Sequence, residues 1–146
     1  MTARDFVKAL GVAVAVIAMT MAASFPMVAF YAFLIEPGHP EEFYTAAAQW
    51  IAPWSSHLFG PMVFLGFNYF MARRSPERNA MLFAAATLVL YVIVDLSMLP
   101  MLGLPIADAL TLPTAFSFTA KIAGAFLGAY LGSRKQLLAG ESSDAT

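Results

Sequence analysis

Residues 9–35 run for 27 positions without one charged side chain, and this restricts the fold more than any other feature of the chain. At about 1.5 Å per residue such a helix extends ~40 Å, longer than the ~30 Å hydrocarbon core of a bilayer. The excess length requires tilt or protrusion, and Pro26 should bend the helix because proline removes a main-chain hydrogen bond. Arg4, Lys8 and the small residues of "MAAS" give the segment some look of a signal peptide, but its apolar region is too long for one. Three further apolar runs follow, at about 54–72, 80–99 and 114–132. The composition is 60% apolar and 12% charged, against about 25% charged in a soluble domain. The pattern predicts an all-α polytopic membrane protein, a four-transmembrane-helix bundle built as one domain over 1–135. A flexible cytoplasmic tail is expected at 136–146, where the sequence becomes small and polar.

The segment before the second span has its own character. Pro40 suits a first helical turn, Glu41 and Glu42 suit the positive end of a helix dipole, and Trp50 and Trp54 are typical interface anchors. These residues predict a short interfacial helix at about 40–51 on the outer side, then a break at Pro53. One long kinked helix over 40–72 is the alternative. Gly60 and Pro61 should kink the span itself. The stretch "MLGLPIADALTLP" reads as a loop between the third and fourth spans.

Basic residues set the orientation. Arg4, Lys8, Arg73, Arg74, Arg78, Arg134 and Lys135 fall on one side of a chain that crosses four times, while the opposite loops carry only Glu36, Glu41, Glu42 and Asp108. By the positive-inside rule both termini are cytoplasmic and the protein belongs in the cell (inner) membrane. The lipid bilayer is therefore its first partner. No basic stripe suggests nucleic acid. The chain has no cysteine, which removes disulfides, thiolate metal sites and thiol catalysis. Nine methionines are scattered through the spans as flexible apolar filler.

Two charges break the apolar pattern. Asp95 lies five residues before Pro100 at the outer end of span three, or ~7 Å along a helix axis. Lys121, the eighth basic residue, lies eight residues past Pro113, or ~12 Å deep, and its stem can lift the ammonium outward. Exposing such charges to lipid costs at least ~2.5–3.5 kcal/mol each, so an Asp95–Lys121 bridge between antiparallel neighbours is the economical expectation. Tyr91 and Asp95 share one face of span three, and Ser117, Lys121, Gly124 and Gly128 one face of span four. Ser55, Ser56 and His57 sit just inside the outer boundary of span two, and Glu36 and His39 follow span one. An outward-facing polar pocket around Asp95, Lys121 and His57 is the result, with Tyr91, Ser55, Ser56, Glu36 and His39 as further members. His57 next to a carboxylate would titrate near neutral pH.

The functional expectation is a small membrane carrier or binding protein for a small solute or proton. An accessory or assembly subunit of a larger membrane complex, with the charge pair structural, is the alternative, and a membrane-embedded enzyme is the third. Ser55 with Lys121 as a desolvated base is one way to assemble hydrolytic chemistry, although no nucleophile motif surrounds either. His57, His39, Glu36 and Asp95 are of metal-ligand type but lack a ligand motif, so no metal or cofactor is assigned. Gly124, Gly128 and Gly132 form a ridge that admits close helix approach, either inside one chain or in a homodimer.

Overall fold

The structure is a computed structural model that describes the backbone of residues 1–101 and 111–143 and the side chains as far as Arg134. Helices account for nearly all of it: α1 (Ala3–Phe30), which runs on into a π-helical turn at Tyr31–Ile35, then α2 (Glu41–Arg74), α3 (Ala80–Met101) and α4 (Leu112–Ser143). No strand occurs among the described residues. Asp108 and most of the loop joining α3 to α4 lie outside the described residues, as do positions 144–146.

Local chemistry explains the ends. The Thr2 hydroxyl accepts from the Asp5 amide while the Asp5 carboxylate accepts from the Thr2 amide, a reciprocal capping box that starts α1. Gly38, at φ +86°, takes the left-handed conformation that turns the chain between α1 and α2. Tyr44 fixes that turn: its hydroxyl accepts from the His39 amide and donates to the Glu36 carbonyl, 2.8 Å away.

Three segments are long and apolar enough to cross a membrane: Ala3–Ile35, Ala80–Met101 and Leu112–Arg134. Their outward faces fit that reading. Phe25 and Phe33 of the first are 74% and 78% exposed, and Val89 and Ile93 of the second and Phe116 of the third are also more than half uncovered, far more apolar surface than a water-soluble monomer tolerates. The buried side chains form one cluster. Ala9, Val12, Ala13 and Val16 contribute a helical stripe from α1, Phe64 comes from α2, Phe83, Leu88 and Tyr91 from α3, and Ala125 and Ala129 from α4.

Each helix has two main neighbours. α2 packs along α4 in the most extensive seam and along α1 on its other side, while α3 packs against α1 and α4. The glycine ridge makes the α2–α4 seam. A Cβ on Gly124 would collide with the Pro61 carbonyl and one on Gly128 with the Leu65 carbonyl. Gly132 is as tight, with a Cβ falling 2.6 Å from the Tyr69 carbonyl oxygen. The ridge is thus used inside the chain, and a homodimer seam at these glycines would require α2 to leave them.

Two sequence expectations are corrected. Residues 41–74 form one continuous helix, with Pro53 and Pro61 inside it, so a separate interfacial helix at 40–51 is not formed. Each proline removes one main-chain bond, and flanking contacts hold the helix through the gap. Ser55 Oγ shares its proton between the Ala52 carbonyl at 2.7 Å and the Thr20 carbonyl of α1 at 3.1 Å. At the other end α4 stays helical through Ser143, beyond the tail start expected at 136. The run Lys135-Gln-Leu-Leu-Ala consists of good helix formers, which accounts for the extension.

The basic residues gather at one end. Arg78 Nη1, in the α2–α3 turn, lies 3.5 Å from the Asp5 carboxylate at the start of α1. Gly132 of α4 meets Ala72 near the end of α2. Arg4, Lys8, Arg73, Arg74, Arg78 and Arg134 therefore share one end of the molecule.

Candidate functional site

Asp95, Lys121, Ser56 and Tyr91 lie roughly 20–27 Å from that basic end, counted along each helix at 1.5 Å per residue. Lys121 is their centre. It is 4% exposed, and its ammonium donates to Tyr91 Oη and Ser56 Oγ, each at 2.9 Å. The charge also stands 5.0 Å from the Tyr91 ring centroid and 5.4 Å from that of Phe118, within range of a cation–π attraction. Tyr91 is itself pinned, its ring edge-on to Phe64 at 5.1 Å. The Lys121 stem crosses α2 at Gly60, where a Cβ would lie 2.6 Å from Lys121 Cε. Gly60 thus leaves the space that lets a lysine of α4 reach the hydroxyls of α2 and α3.

The expected Asp95–Lys121 bridge is not formed. No Asp95 oxygen lies within 4.0 Å of the ammonium, and Asp95 has no hydrogen-bond partner among the described residues. The two groups still feel each other's charge. The physical reason is competition. Tyr91 and Ser56 accept the ammonium's protons, and Asp95, one turn beyond Tyr91 on α3, lines a cavity instead. That cavity measures about 430 Å³ and lies between α1, α2 and α3. Ser55, Ser56, Tyr91 and Asp95 line it, joined by Thr20 and Ser24 of α1 and Gln49 of α2.

Thr20, Ser24 and Gln49 were not singled out from sequence. Thr20 and Ser24 lie four apart in an uncharged run, a polar strip on one helical face that could have been read. Thr20 hydrogen-bonds its own helix, at 3.0 Å to the Val16 carbonyl and 2.9 Å to that of Ile17. Ser24 does the same to Met21. Their hydroxyl oxygens keep lone pairs free to accept.

His57 does not join Asp95. It faces a different cavity, of about 540 Å³ between α2 and α4, with Trp54, Phe116 and Ser117. Among the described residues, His57 Nδ1 and Ser117 Oγ are both buried without a partner. Asp95 and His57 thus open to two different cavities. Successive helical residues point about 100° apart, which sends Ser56 and His57 to opposite sides.

Glu36 and His39 also lie apart from Asp95. Their side chains meet each other at 3.2 Å, and the imidazole stacks on Phe43 with centroids 4.2 Å apart. They clasp the turn before α2. The metal set His57, His39, Glu36 and Asp95 is accordingly not brought together, and no group of three or more such ligands converges among the described residues.

Comparison of the chain with protein-family models, with curated proteins and with solved structures finds no match. The functional reading therefore rests on the site alone.

Proposed function

We propose that the chain is a small integral membrane carrier or binding protein, in which Asp95 takes up a proton or the positive end of a small solute from an outward-facing pocket. In this reading all four helices cross the cell membrane and both termini are cytoplasmic. Support for the fourth crossing comes from packing: α2 packs against both α1 and α4, and both neighbours are long and apolar enough to span. Support for the orientation is the single basic end.

The observation that carries the reading is Asp95 itself. It lines a cavity without a bonding partner among the described residues, while the nearest described cation is held by Tyr91 and Ser56. An ionised carboxylate so placed is costly unless a proton or a cation joins it. Lys121 supplies a fixed positive charge behind a layer of hydroxyls, and the free lone pairs of Ser24 and Thr20 offer acceptors for a donor-rich solute.

A second reading is hydrolytic. Lys121 Nζ stands 2.9 Å from Ser56 Oγ, and Ser56 opens to the Asp95 cavity. A deprotonated Lys121 at that distance is placed to take the Ser56 proton as the oxygen attacks a carbonyl. This replaces the Ser55 pairing expected from sequence, because Ser55 hydrogen-bonds α1 and α2 carbonyls instead.

Proteoliposomes test the two. Wild-type vesicles with trapped pyranine should equilibrate an imposed pH step, or take up methylammonium, faster than empty vesicles, and Asp95→Asn should remove the difference. A wild type no faster than empty vesicles overturns the carrier reading. Covalent labelling of Ser56 by a fluorophosphonate, lost in Lys121→Met, would then support the hydrolytic one.

A further inference from the structure

A groove of about 560 Å³ runs between α1 and α2 toward the basic end of the molecule. Met19, Met62, Gly66, Phe67 and Phe70 line it, and Arg74 closes it. Among the described residues, no acidic side chain lines it. From Met62 to Arg74 is 12 residues of helix, ~18 Å, which is close to one leaflet of a ~30 Å hydrocarbon core.

The three arginines around the α2–α3 turn have different fates. Arg78 is folded inward: Nη2 donates to the Met71 carbonyl at 2.9 Å, and the guanidinium lies 3.6 Å over the Phe83 ring. Arg73 donates to Tyr69 Oη at 3.2 Å. Arg74 is exposed, closes the groove, and also lines an adjoining cleft of about 270 Å³ with Tyr69, Phe70 and Arg73. An apolar trough one leaflet long thus ends at a cationic cleft.

We propose that this groove holds one anionic phospholipid, with an acyl chain along Met62–Phe70 and its phosphate on Arg74. The match is of length and of charge: hydrocarbon against methionine and phenylalanine, phosphate against guanidinium. The site rests on α2 crossing the bilayer beside α1. It is independent of the Asp95 cavity, which neither Gly66 nor Arg74 lines.

Gly66 supplies the deciding variant. A Cβ there meets nothing within 4 Å, so Gly66→Leu fills the groove while leaving the helix seams and every charge in place. The full chain, purified in a neutral detergent, is titrated with phosphatidylglycerol or phosphatidylcholine, and bound lipid per chain is counted by native mass spectrometry. One phosphatidylglycerol should be retained in preference to phosphatidylcholine. Arg74→Gln should weaken it by about fivefold, the equivalent of ~1 kcal/mol for one basic side chain at an anionic headgroup. Gly66→Leu should displace both lipids, while Gly66→Ala and Asp95→Asn keep wild-type retention. If Gly66→Leu retains phosphatidylglycerol as wild type does, the attraction is a diffuse property of the basic end and the site is overturned. Equal retention of the two lipids by wild type overturns it as well. A change of oligomeric state in Gly66→Leu, with lipid retention unaltered, would make the groove a seam between copies instead.

Discussion

The ammonium of Lys121 is tied to the phenol of Tyr91, 2.9 Å away, and not to the carboxylate of Asp95. Tyr91→Phe should therefore cost ~1–3 kcal/mol, because it leaves a buried ammonium short of an acceptor. Lys121→Met should be nearly neutral or stabilising, since it replaces a desolvated charge by an apolar chain of similar shape. Unfolding in detergent gives both numbers. A double-mutant cycle should find larger coupling between Lys121 and Tyr91 than between Lys121 and Asp95. The reverse order would mean that Asp95 is the true partner of the lysine.

Gly128 and Gly124 bring the backbone of α4 against the carbonyls of Leu65 and Pro61. Alanine at either position must push α2 away, at a cost of ~1–3 kcal/mol or more by analogy with overpacked cores. Gly66→Ala, on open space, should instead gain up to ~1 kcal/mol from helix propensity. Melting temperature and light scattering separate this from a dimer seam. The ridge variants should melt earlier at unchanged mass, and dissociation without loss of thermal stability would contradict the packing.

Gly60 faces a flexible stem, not a backbone. Its alanine variant should move Lys121 Cε and weaken the hydrogen bonds to Tyr91 and Ser56, with a loss of order ~1–2 kcal/mol. Removing the stem should then relieve it: Gly60→Ala with Lys121→Ala should cost less than the two separate losses added together. Simple additivity in the thermal unfolding series would show that the glycine serves something other than the lysine.

How far the sequence carries this arrangement depends on the kind of signal. The apolar runs and the sidedness of Arg and Lys are long-range averages, and the helix positions follow them closely for α3, while α4 starts near the expected span but runs on to Ser143. The polar site depends on rotation and reach, which spacing leaves open. Asp95 and Lys121 were legible as inward groups, but Tyr91 was legible only as a neighbour on the same face, not as an acceptor of the ammonium's protons. His57 is adjacent to Ser56 in sequence and opens to another cavity, a split that follows from the 100° step of the helix once the direction of Ser56 is known. Pro53 misled for a different reason. A proline is a breaker in isolation, yet α2 runs through Pro53 as one continuous helix that also packs along α1 and α4. The loop containing Asp108 lies outside the described residues.

Arg78 shows how one basic residue of a topology signal takes on an internal structural role. Its guanidinium stacks on Phe83, donates to the Met71 carbonyl and reaches Asp5 at 3.5 Å, tying the α2–α3 turn to the start of α1. Arg78→Gln should cost ~2–3 kcal/mol, combining a lost cation–π contact with a carbonyl left unpaired. Lys should not rescue it, because an ammonium cannot stack its plane on the ring and keep both hydrogen-bonding directions. Asp5→Asn should cost clearly less than Arg78→Gln. The 3.5 Å ion contact is long, and an asparagine keeps the side-chain oxygen that accepts from the Thr2 amide in the capping box. The measurement is unfolding of the three single variants in one detergent. An Asp5→Asn loss equal to that of Arg78→Gln would place the stabilisation in the ion pair and not in the stack.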